Sequence, residues 1–275
     1  MVQKFKNFYH LLNAWYWAWR CGWPGKKLYV IGVTGTDGKT TTCTLIYEIL
    51  KAAGLKADYI TTVNSEGLHT TNPDPSLLQP LLKKMVEKGM THCVLEVTSH
   101  GLDQNRVMGI DFQIGVLTNI THEHLDYHGT MEKYIEAKSK LFKYVKYAVL
   151  PNFQFEILNL KSNPNVKIFK YRKSKIKNVS MALVGDYNLY NLAAATEVAR
   201  ILGIEKWVKL VARSFSGVPG RREEVPNKKG FRVFVDFAHT PNALENVLTQ
   251  LRKETKNRLI CVFGCTGERD KEKRP

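Results

Sequence analysis

The chain has 275 residues, of which 44% are hydrophobic and 24% charged, which excludes a disordered chain and allows two domains with buried cores. The formal net charge of +16 fits nucleic acid, an anionic membrane or small polyanions such as nucleotides, and a generally basic proteome is an equal alternative. No RNA-binding aromatic pattern accompanies the basic residues, so we expect no nucleic-acid partner. Five cysteines without a C-x-x-C pair exclude a zinc or disulfide framework and are typical of a cytoplasmic protein.

Residues 1–26 form an aromatic N-terminal segment. The run FYHLLNAWYWAW over 8–19 is too short to span a bilayer, and no small-residue cleavage site follows it. Two interpretations stay open. The first is a helix packed on the next domain. The second is an interfacial helix whose residues 5–20 contact a membrane surface, which would place a cytoplasmic protein at the inner membrane.

Short apolar runs alternate with amphipathic ones, which predicts an α/β fold with a parallel sheet covered by helices. The expected strands are 28–33, 57–62, 92–97, 114–118 and 147–150. The expected helices are 41–53, 77–88, 131–142 and 191–202. Ser76 is the expected N-cap of the second of these helices. Polar residues follow several strands, at the edge where open α/β sheets bind ligands.

The sequence GVPG over 217–220 predicts a hinge between a central domain over 27–216 and a second domain over 217–275. A strand over 232–236, a helix over 243–253 and a strand over 258–263 would begin a new βαβ unit. The chain ends too soon to complete that domain, so we expect a fragment of a longer protein. The expected architecture is a P-loop-like central ATPase domain followed by the start of a Rossmann-like C-terminal domain.

The loop after the first strand has the ingredients of a phosphate-binding site. Gly35 and Gly38 would let backbone N–H groups approach phosphates at a helix N-terminus. Lys39 would neutralise the β- and γ-phosphates, and Thr40 would offer its hydroxyl to Mg²⁺. The strict G-x-x-x-x-G-K-[ST] spacing is not met, because five residues separate Gly32 from Gly38. The alternative is a glycine-rich turn in an unrelated α/β fold.

The sequence GVTGTDGKTTT over 32–42 resembles the nucleotide loop of the Mur ligase family, ATP-dependent enzymes that add amino acids to the peptidoglycan stem peptide. Six further segments resemble family segments in the family's order: LEVTSHGLDQNR, TNITHEHLDYHGTMEKYIEAKSKLF, GDYNLYN, GVPGRREEV, VDFAHTPNALE and VFGCTGERDKEKRP. HLDYHG together with DFAHTP favours the branch that adds the third amino acid.

This resemblance implies a monomeric ligase that uses ATP and Mg²⁺. It would activate the D-Glu carboxylate of UDP-MurNAc-dipeptide as an acyl phosphate and join a free amino acid to it. By resemblance the catalytic residues are Lys39, Glu96, His124 and Lys138, and Mg²⁺ is held by Thr40, Glu96 and His124. Lys138 is also implied to be carbamylated by CO₂.

Alternatives stay open for three of these residues. Glu96 would otherwise form a loop salt bridge, and His124 a structural hydrogen bond, since His122 and His128 are close by. For the carbamate, Lys140 competes with Lys138.

The resemblance also implies two sets of binding residues. The expected ATP-binding residues are Gly35, Thr36, Asp37, Gly38, Lys39, Thr40, Thr41, Asn188, Asn191, Arg221, Asp236 and His239. The expected substrate-binding residues are Thr70, Thr71, Thr98, Gln104 and Arg106. Helix N-capping is the alternative for the two asparagines, and Arg222 competes with Arg221. The second domain would reach ATP only after domain closure.

This sequence departs from the family pattern. Asp37 stands where the family has Asn, the N-terminal domain that binds UDP is replaced by residues 1–26, and the third domain stops before the region that reads the incoming amino acid. A folylpolyglutamate or cyanophycin ligase is an alternative within the same superfamily, and the folate type is disfavoured because folate ligases read G-K-G-S where this chain reads G-K-T-T. A noncatalytic, membrane-associated nucleotide-binding module is disfavoured because Glu96, His124 and Lys138 are all present.

Overall fold

The computed structural model describes residues 2–64, 71–154, 156, 158, 160, 163–173 and 185–264. Six strands form one sheet: β1 (Tyr29–Thr34), β2 (Ala57–Ile60), β3 (His92–Glu96), β4 (Phe112–Leu117), β5 (Tyr147–Pro151) and β6 (Lys167–Tyr171). All neighbouring strands run parallel, in the order β2-β3-β1-β4-β5-β6. The predicted α/β class with a parallel sheet is confirmed.

Helices cover both faces of this sheet. They are α1 (Val2–Arg20), α2 (Lys39–Ala52), α3 (Pro75–Glu87), α4 (Ser99–Asp103), α5 (Leu125–His128), α6 (Met131–Ser139), α7 (Asp186–Ile201), α8 (Val208–Ser214) and α9 (Pro241–Glu254). Neighbouring residues of β1 point to opposite faces, as the pleat requires. Ile31 accordingly belongs to a core with α2, α7 and α8, whereas Val30 belongs to a second core with α3 and α6.

One strand and two helix N-termini differ from the sequence prediction. β6 was not predicted, because its sequence KIFKY carries exposed lysines and lies at the sheet edge, where only one neighbour is needed. α7 begins at Asp186, five residues before the predicted start, with Gly185 as its N-cap. Ser76 does not cap α3. Asp74 does, because Pro75 has no N–H and the Asp74 carboxylate accepts a hydrogen bond from Ser76 N at 3.0 Å.

The C-terminal part begins with an antiparallel hairpin of β7 (Glu223–Val225) and β8 (Val233–Val235), followed by α9. The predicted strand over 232–236 and the predicted helix over 243–253 are therefore present. The predicted strand over 258–263 is wrong for the part of the chain that the structure describes. Ile260 and Val262 are 70% and 95% exposed, because this apolar run has neither a hydrogen-bonded neighbour nor a covering layer there.

The N-terminal helix α1 packs on the central domain, as the first of the two interpretations predicted. Ala14 and Ala18 are fully buried. Asn13 Nδ2 donates to Asp74 Oδ1 at 3.2 Å, and Asn7 Nδ2 donates to Asp103 Oδ2 at 3.1 Å. Among the helices of the described residues, none is both long and apolar enough to cross a membrane.

Candidate nucleotide site

The loop between β1 and α2 takes a backbone shape that favours glycine at two positions. Gly35 has φ +151° and Gly38 has φ +78°. A Cβ on Gly35 would lie 1.8 Å from Thr118 Oγ1, so the loop backbone is pressed against the neighbouring strand end. Lys39 is the first residue of α2, and its Nζ donates to Thr36 O at 2.8 Å. The N-terminus of α2 therefore faces a glycine-rich turn, as an anion site requires.

Two residues after β4 fix this loop, and neither was singled out from the sequence. Thr118 Oγ1 donates to Asp37 O at 2.7 Å. Asn119 accepts twice, from Thr36 N at its backbone oxygen and from Asp37 N at its side-chain oxygen, both at 2.9 Å. Their only sequence signal was their place at the end of a predicted strand. The loop is thus held in shape by the adjacent strand end.

Thr40 and Glu96 are brought into direct contact. Thr40 Oγ1 donates to Glu96 Oε2 at 2.9 Å, because β3 ends at Glu96 and lies beside β1, which leads into the loop. Glu96 is buried, and the same carboxylate oxygen accepts from Thr62 N at 3.3 Å. A hydroxyl and a carboxylate oxygen next to a phosphate site are ligands that Mg²⁺ prefers.

His124 lies in a strained backbone conformation near a histidine cluster. Its φ is +58°, which is uncommon for a residue with a side chain and is typical of functional sites. Its ring lies 4.7 Å from that of His100 and its Nδ1 lies 3.6 Å from Glu123 Oε1. Burial lowers the pKa of neighbouring His128 to about 4, and His100 adds to that shift. No three His, Cys, Asp or Glu side chains of the described residues form a ready metal site.

Lys138 lies directly behind the loop. The residue is almost fully buried, and its Nζ donates to Gly35 O at 2.7 Å. Burial holds the pKa of Lys138 well below its ordinary value, and the charge of Lys39 lowers that pKa further. Lys140, the competing candidate, instead pairs with Asp103 at 2.8 Å on the surface. Of these two lysines, Lys138 is the one that faces the loop.

Asn188 and Asn191 are buried residues of α7 that face α2. Asn191 Oδ1 accepts from Thr42 Oγ1 at 3.3 Å, and its Nδ2 donates to Asn188 Oδ1 at 3.3 Å. A Cβ on Gly38 would lie 2.4 Å from Asn191 Oδ1. The alternative that they cap a helix is wrong, because α7 starts at Asp186. These asparagines pack against the loop and the first turn of α2.

Arg221, rather than Arg222, reaches the loop from the C-terminal part. Its Nη2 donates to Thr40 Oγ1 at 3.3 Å, and its guanidinium lies 4.4 Å from the centre of the Phe237 ring. Burial lowers the pKa of Arg221, and Glu96 opposes that shift. Arg222 points elsewhere and pairs with Glu254. The Arg221 guanidinium therefore adds a cation beside the contact between Thr40 and Glu96.

Asp37 also joins the loop to the C-terminal part. Its carboxylate accepts from Thr240 Oγ1 at 3.2 Å and from Asn242 Nδ2 at 2.9 Å. Thr240 is the N-cap of α9. The carboxylate is thus directed at the start of α9, and the C-terminal part is already in contact with the loop.

Asp236 and His239, two of the predicted ATP-binding residues, form hydrogen bonds within the C-terminal part. The Asp236 carboxylate accepts from two backbone amides, Arg222 N at 2.7 Å and Ala238 N at 2.6 Å, and so holds the turn after β8. His239 is exposed, and its Nδ1 lies 2.9 Å from Phe237 O. The direct contacts with the loop come from Arg221, Thr240 and Asn242.

Two stretches of the chain match known domain families. Residues 33–175 match the Mur ligase middle domain, and residues 220–275 match the Mur ligase, glutamate ligase domain. The chain belongs to the Mur ligase family. The two matches coincide with the part that carries the glycine loop and the part that contacts it.

Curated relatives support this membership over nearly the whole chain. UDP-N-acetylmuramoyl-L-alanyl-D-glutamate–2,6-diaminopimelate ligase of Bacillus cereus is 36% identical over 295 residues, covering 92% of this chain and 60% of the relative. The ligase of the same name from Aquifex aeolicus is 40% identical over 285 residues, covering 92% and 59%. This Mur ligase chain therefore spans about 60% of the length of the relatives it matches.

Solved structures agree on the fold. A structure of a UDP-N-acetylmuramoyl-L-alanyl-D-glutamate–2,6-diaminopimelate ligase has a TM-score of 0.69 at 32% identity, covering 90% of this chain and 58% of that one. Escherichia coli FolC in complex with DHPP and ADP has a TM-score of 0.69 at 22% identity, covering 88% and 69%. The second likeness shows the fold alone.

Four of the predicted substrate residues lie within the described part of the chain, and we call them the polar wall: Thr71, Thr98, Gln104 and Arg106. Thr71 Oγ1 lies 2.7 Å from Thr62 Oγ1, and Thr98 Oγ1 caps α4 by accepting from Gly101 N at 2.9 Å. Gln104 Nε2 donates to the Tyr127 hydroxyl at 3.2 Å. Thr70, the remaining predicted substrate residue, lies outside the described residues.

Asn72 organises this wall, although the sequence did not single it out. The residue is buried, and its Nδ2 donates to Glu96 O at 2.7 Å. Its Oδ1 accepts from Thr98 N at 2.6 Å, and its backbone oxygen accepts from Arg106 Nη1 at 2.8 Å. Asn72 therefore links Glu96, a predicted Mg²⁺ ligand, to two of the predicted substrate residues. Its only sequence signal was its position next to Thr71 in the loop TTNPDP.

Proposed function

We propose that this Mur ligase chain carries the ATP site of an acid–amino-acid ligase. The ligase would activate the D-Glu carboxylate of UDP-MurNAc-L-Ala-D-Glu and add the third amino acid. The observation that carries this function is the 2.9 Å contact between Thr40 Oγ1 and Glu96 Oε2 beside the glycine loop. The names of the relatives support the substrate and point to diaminopimelate as the amino acid.

The residues present fit a nucleotide and a divalent cation. Phosphates would bind at the N-terminus of α2, next to Gly38, Lys39 and Thr41. Thr40 and Glu96 would hold Mg²⁺, and His124 would complete the protein ligands from the neighbouring strand end. When bound, ATP supplies the phosphoryl group and Mg²⁺ neutralises its charge. Arg221 would add a positive charge on the side of the C-terminal part.

The reaction is one phosphoryl transfer and one acyl transfer. A carboxylate oxygen of D-Glu attacks the γ-phosphorus, and the bond from that phosphorus to ADP breaks. The amine of the incoming amino acid then attacks the carbonyl carbon. Phosphate leaves with the former carboxylate oxygen, and the amine loses a proton. The D-Glu carboxylate and the γ-phosphate are both anions, and the positive charges of Lys39 and Arg221 lower the repulsion between them. The positioning of these reacting groups contributes much of the rate enhancement.

Lys138 is proposed to be the carbamylated residue. A carbamate forms when a neutral amine attacks CO₂, and the lowered pKa of Lys138 favours that neutral amine. The modification would replace a cation by an anion directly behind the loop, beside Gly35. That anion would help to hold Mg²⁺ beside the glycine loop.

Substrate binding is assigned to the polar wall. Arg106 would attract a carboxylate of the dipeptide, and Thr71, Thr98 and Gln104 would hydrogen-bond to the peptide. Asn72 would position Glu96 and Thr98 relative to each other. Residues 27–216 would form the central ATP-binding domain, and residues 217–275 would form the start of the glutamate ligase domain.

Phosphate release from MgATP tests this function. With the full chain and UDP-MurNAc-L-Ala-D-Glu, we expect release that depends on both the dipeptide and an amino acid, across a panel that includes diaminopimelate and lysine. Lys39→Met is expected to lower the rate by about 100-fold or more, since it removes a transition-state charge contact. Lys51→Met, at an exposed lysine of the same helix, serves as the control. No dipeptide-dependent release with any amino acid would contradict the assignment.

A further inference from the structure

The outward side of α1 carries a row of large apolar and aromatic side chains. Phe8, Leu12, Trp15, Tyr16 and Trp19 follow one another at steps of four, three, one and three residues, which places them on one face of a helix. With the adjoining Tyr9 they are 44–66% exposed. We name this set the aromatic face, and it comprises Phe8, Tyr9, Leu12, Trp15, Tyr16 and Trp19.

The opposite side of α1 fixes how this face is presented. Ala14 and Ala18 are fully buried, and Asn7 and Asn13 hydrogen-bond to Asp103 and Asp74. Rotation of the helix would break these contacts, so the aromatic face is held outward by specific packing. Large contiguous apolar patches on a protein surface are typical of interaction sites.

The charges around α1 identify the kind of partner. The sequence of α1 contains no Asp or Glu. Lys6 near one end and Arg20 at the other are exposed, and Lys26 and Lys27 follow directly after the helix. The whole chain has a net charge of +16. An apolar face with basic residues at both ends complements a surface that is apolar below and anionic above.

The side-chain types favour a bilayer over a second copy of the chain. Trp and Tyr combine an apolar ring with a polar group, and such side chains concentrate where lipid headgroups meet acyl chains. A symmetric pairing of two aromatic faces would instead bring the basic ends of two α1 helices together. Like charges at close range oppose that pairing.

We propose that the aromatic face of α1 binds the surface of an anionic lipid bilayer, with the helix lying in the plane of the headgroups. Trp15 and Trp19 insert at the headgroup level, and Lys6 and Arg20 contact lipid phosphates. The packed side of α1 touches Asp74 and Asp103, which adjoin the polar wall of the candidate site. Binding therefore holds that site at the membrane surface.

Co-sedimentation with vesicles tests this surface. The full chain is mixed with vesicles of phosphatidylcholine alone or with one third phosphatidylglycerol, at low and at high salt. We expect binding to the anionic vesicles that weakens at high salt, with a blue shift of tryptophan fluorescence. The double variant Trp15→Ser, Trp19→Ser is expected to bind the anionic vesicles more weakly by a factor of about ten or more, because two interfacial rings are lost.

The matched control is Tyr144→Ser, Phe153→Ser, which removes two aromatic side chains that are 80% and 58% exposed elsewhere. It is expected to bind vesicles as the unchanged chain does. Circular dichroism shows whether both variants stay folded. Absence of binding to anionic vesicles, or equal binding by the two double variants, would overturn the proposal. Self-association that is lost with Trp15 and Trp19, without vesicle binding, would assign the face to a second copy and would also overturn it.

Discussion

Asp37 places a negative charge in the backbone turn that faces the N-terminus of α2. Its carboxylate accepts hydrogen bonds from Thr240 and Asn242, and these bonds connect the glycine loop to the C-terminal part of the chain. The same charge lies close to where the nucleotide phosphates would bind. The residue therefore favours contact with α9 while opposing the binding of an anion.

Asp37→Asn is expected to bind ATP about fivefold more tightly, because removing a like charge beside phosphates gains about 1 kcal/mol. The contact with α9 should weaken at the same time, since an amide offers one acceptor in place of two. Titration calorimetry measures the affinity, and hydrogen exchange of the first turn of α9 measures the contact. Asp111→Asn, at an exposed aspartate, is the control. Unchanged or weaker ATP binding by Asp37→Asn would contradict this explanation.

Lys138→Ala is expected to abolish dipeptide-dependent phosphate release, since the proposed carbamate would be lost. Lys140→Ala should retain activity, because Lys140 pairs with Asp103 on the surface. Equilibration with ¹³C-bicarbonate should give a carbamate signal by NMR in the unchanged chain and in Lys140→Ala, and none in Lys138→Ala. Added formate or bicarbonate that restores activity to Lys138→Ala would support the role. Full activity of Lys138→Ala, or a carbamate signal that it retains, would contradict it.

Among individual residues, the family resemblance implied the Mg²⁺ ligands Thr40 and Glu96, whereas the residues that position them were not predicted. Thr40 and Glu96 were predicted to act together, and the structure places them in contact. Asn72 and Asn119 were missed, because the hydrogen bonds of a buried amide depend on which loops meet in space. No local spacing encodes that information.

At the scale of elements, α1 and α3 are coupled through one carboxylate. Asp74 caps α3 through Ser76 N and accepts from Asn13 of α1. Burial by itself would raise the pKa of Asp74, but the hydrogen bonds from Ser76 and Asn13 and the charge of Arg106 lower it overall. The carboxylate therefore stabilises both helices while it is ionised.

Asp74→Ala is expected to lower the free energy of unfolding by about 1–2 kcal/mol at neutral pH, which is typical for the loss of an N-cap. Because the folded pKa is lowered, this contribution is present above the ordinary aspartate pKa of about 4 and is lost as the pH falls through the folded pKa. Urea unfolding at several pH values measures the difference, with Asp111→Ala as the control. A loss that is the same at neutral and strongly acidic pH would contradict the role of the charge.

Element types were predictable where the hydrophobic pattern was strong. The central strands β1, β3 and β4 are buried apolar runs, and each was predicted within two residues of its observed ends. β6 was missed because an edge strand with two exposed lysines lacks that pattern. The strand predicted over 258–263 has the pattern but no partner among the described residues, since strand pairing is a non-local property.

At the scale of the molecule, the two parts of the chain touch at the nucleotide loop. Arg221 contacts Thr40, and Thr240 and Asn242 contact Asp37. The resemblance implied that Arg221, Asp236 and His239 would reach ATP after domain closure. Of these three residues, Arg221 already contacts the loop, and Thr240 and Asn242 contact it as well. The order of the strands and the closeness of the two parts depend on long-range packing, which the local sequence pattern does not encode.

Transfer of oxygen-18 tests the central claim, that this site activates a carboxylate with MgATP, most directly. UDP-MurNAc-L-Ala-D-Glu labelled with oxygen-18 in its D-Glu α- and γ-carboxylates is incubated with the chain, MgATP and the amino acid, and the released phosphate is analysed by mass spectrometry. We predict one labelled oxygen in each phosphate released, and loss of this product in Lys39→Met. Amide formation with unlabelled phosphate would contradict an acyl phosphate and therefore the proposed role of the site.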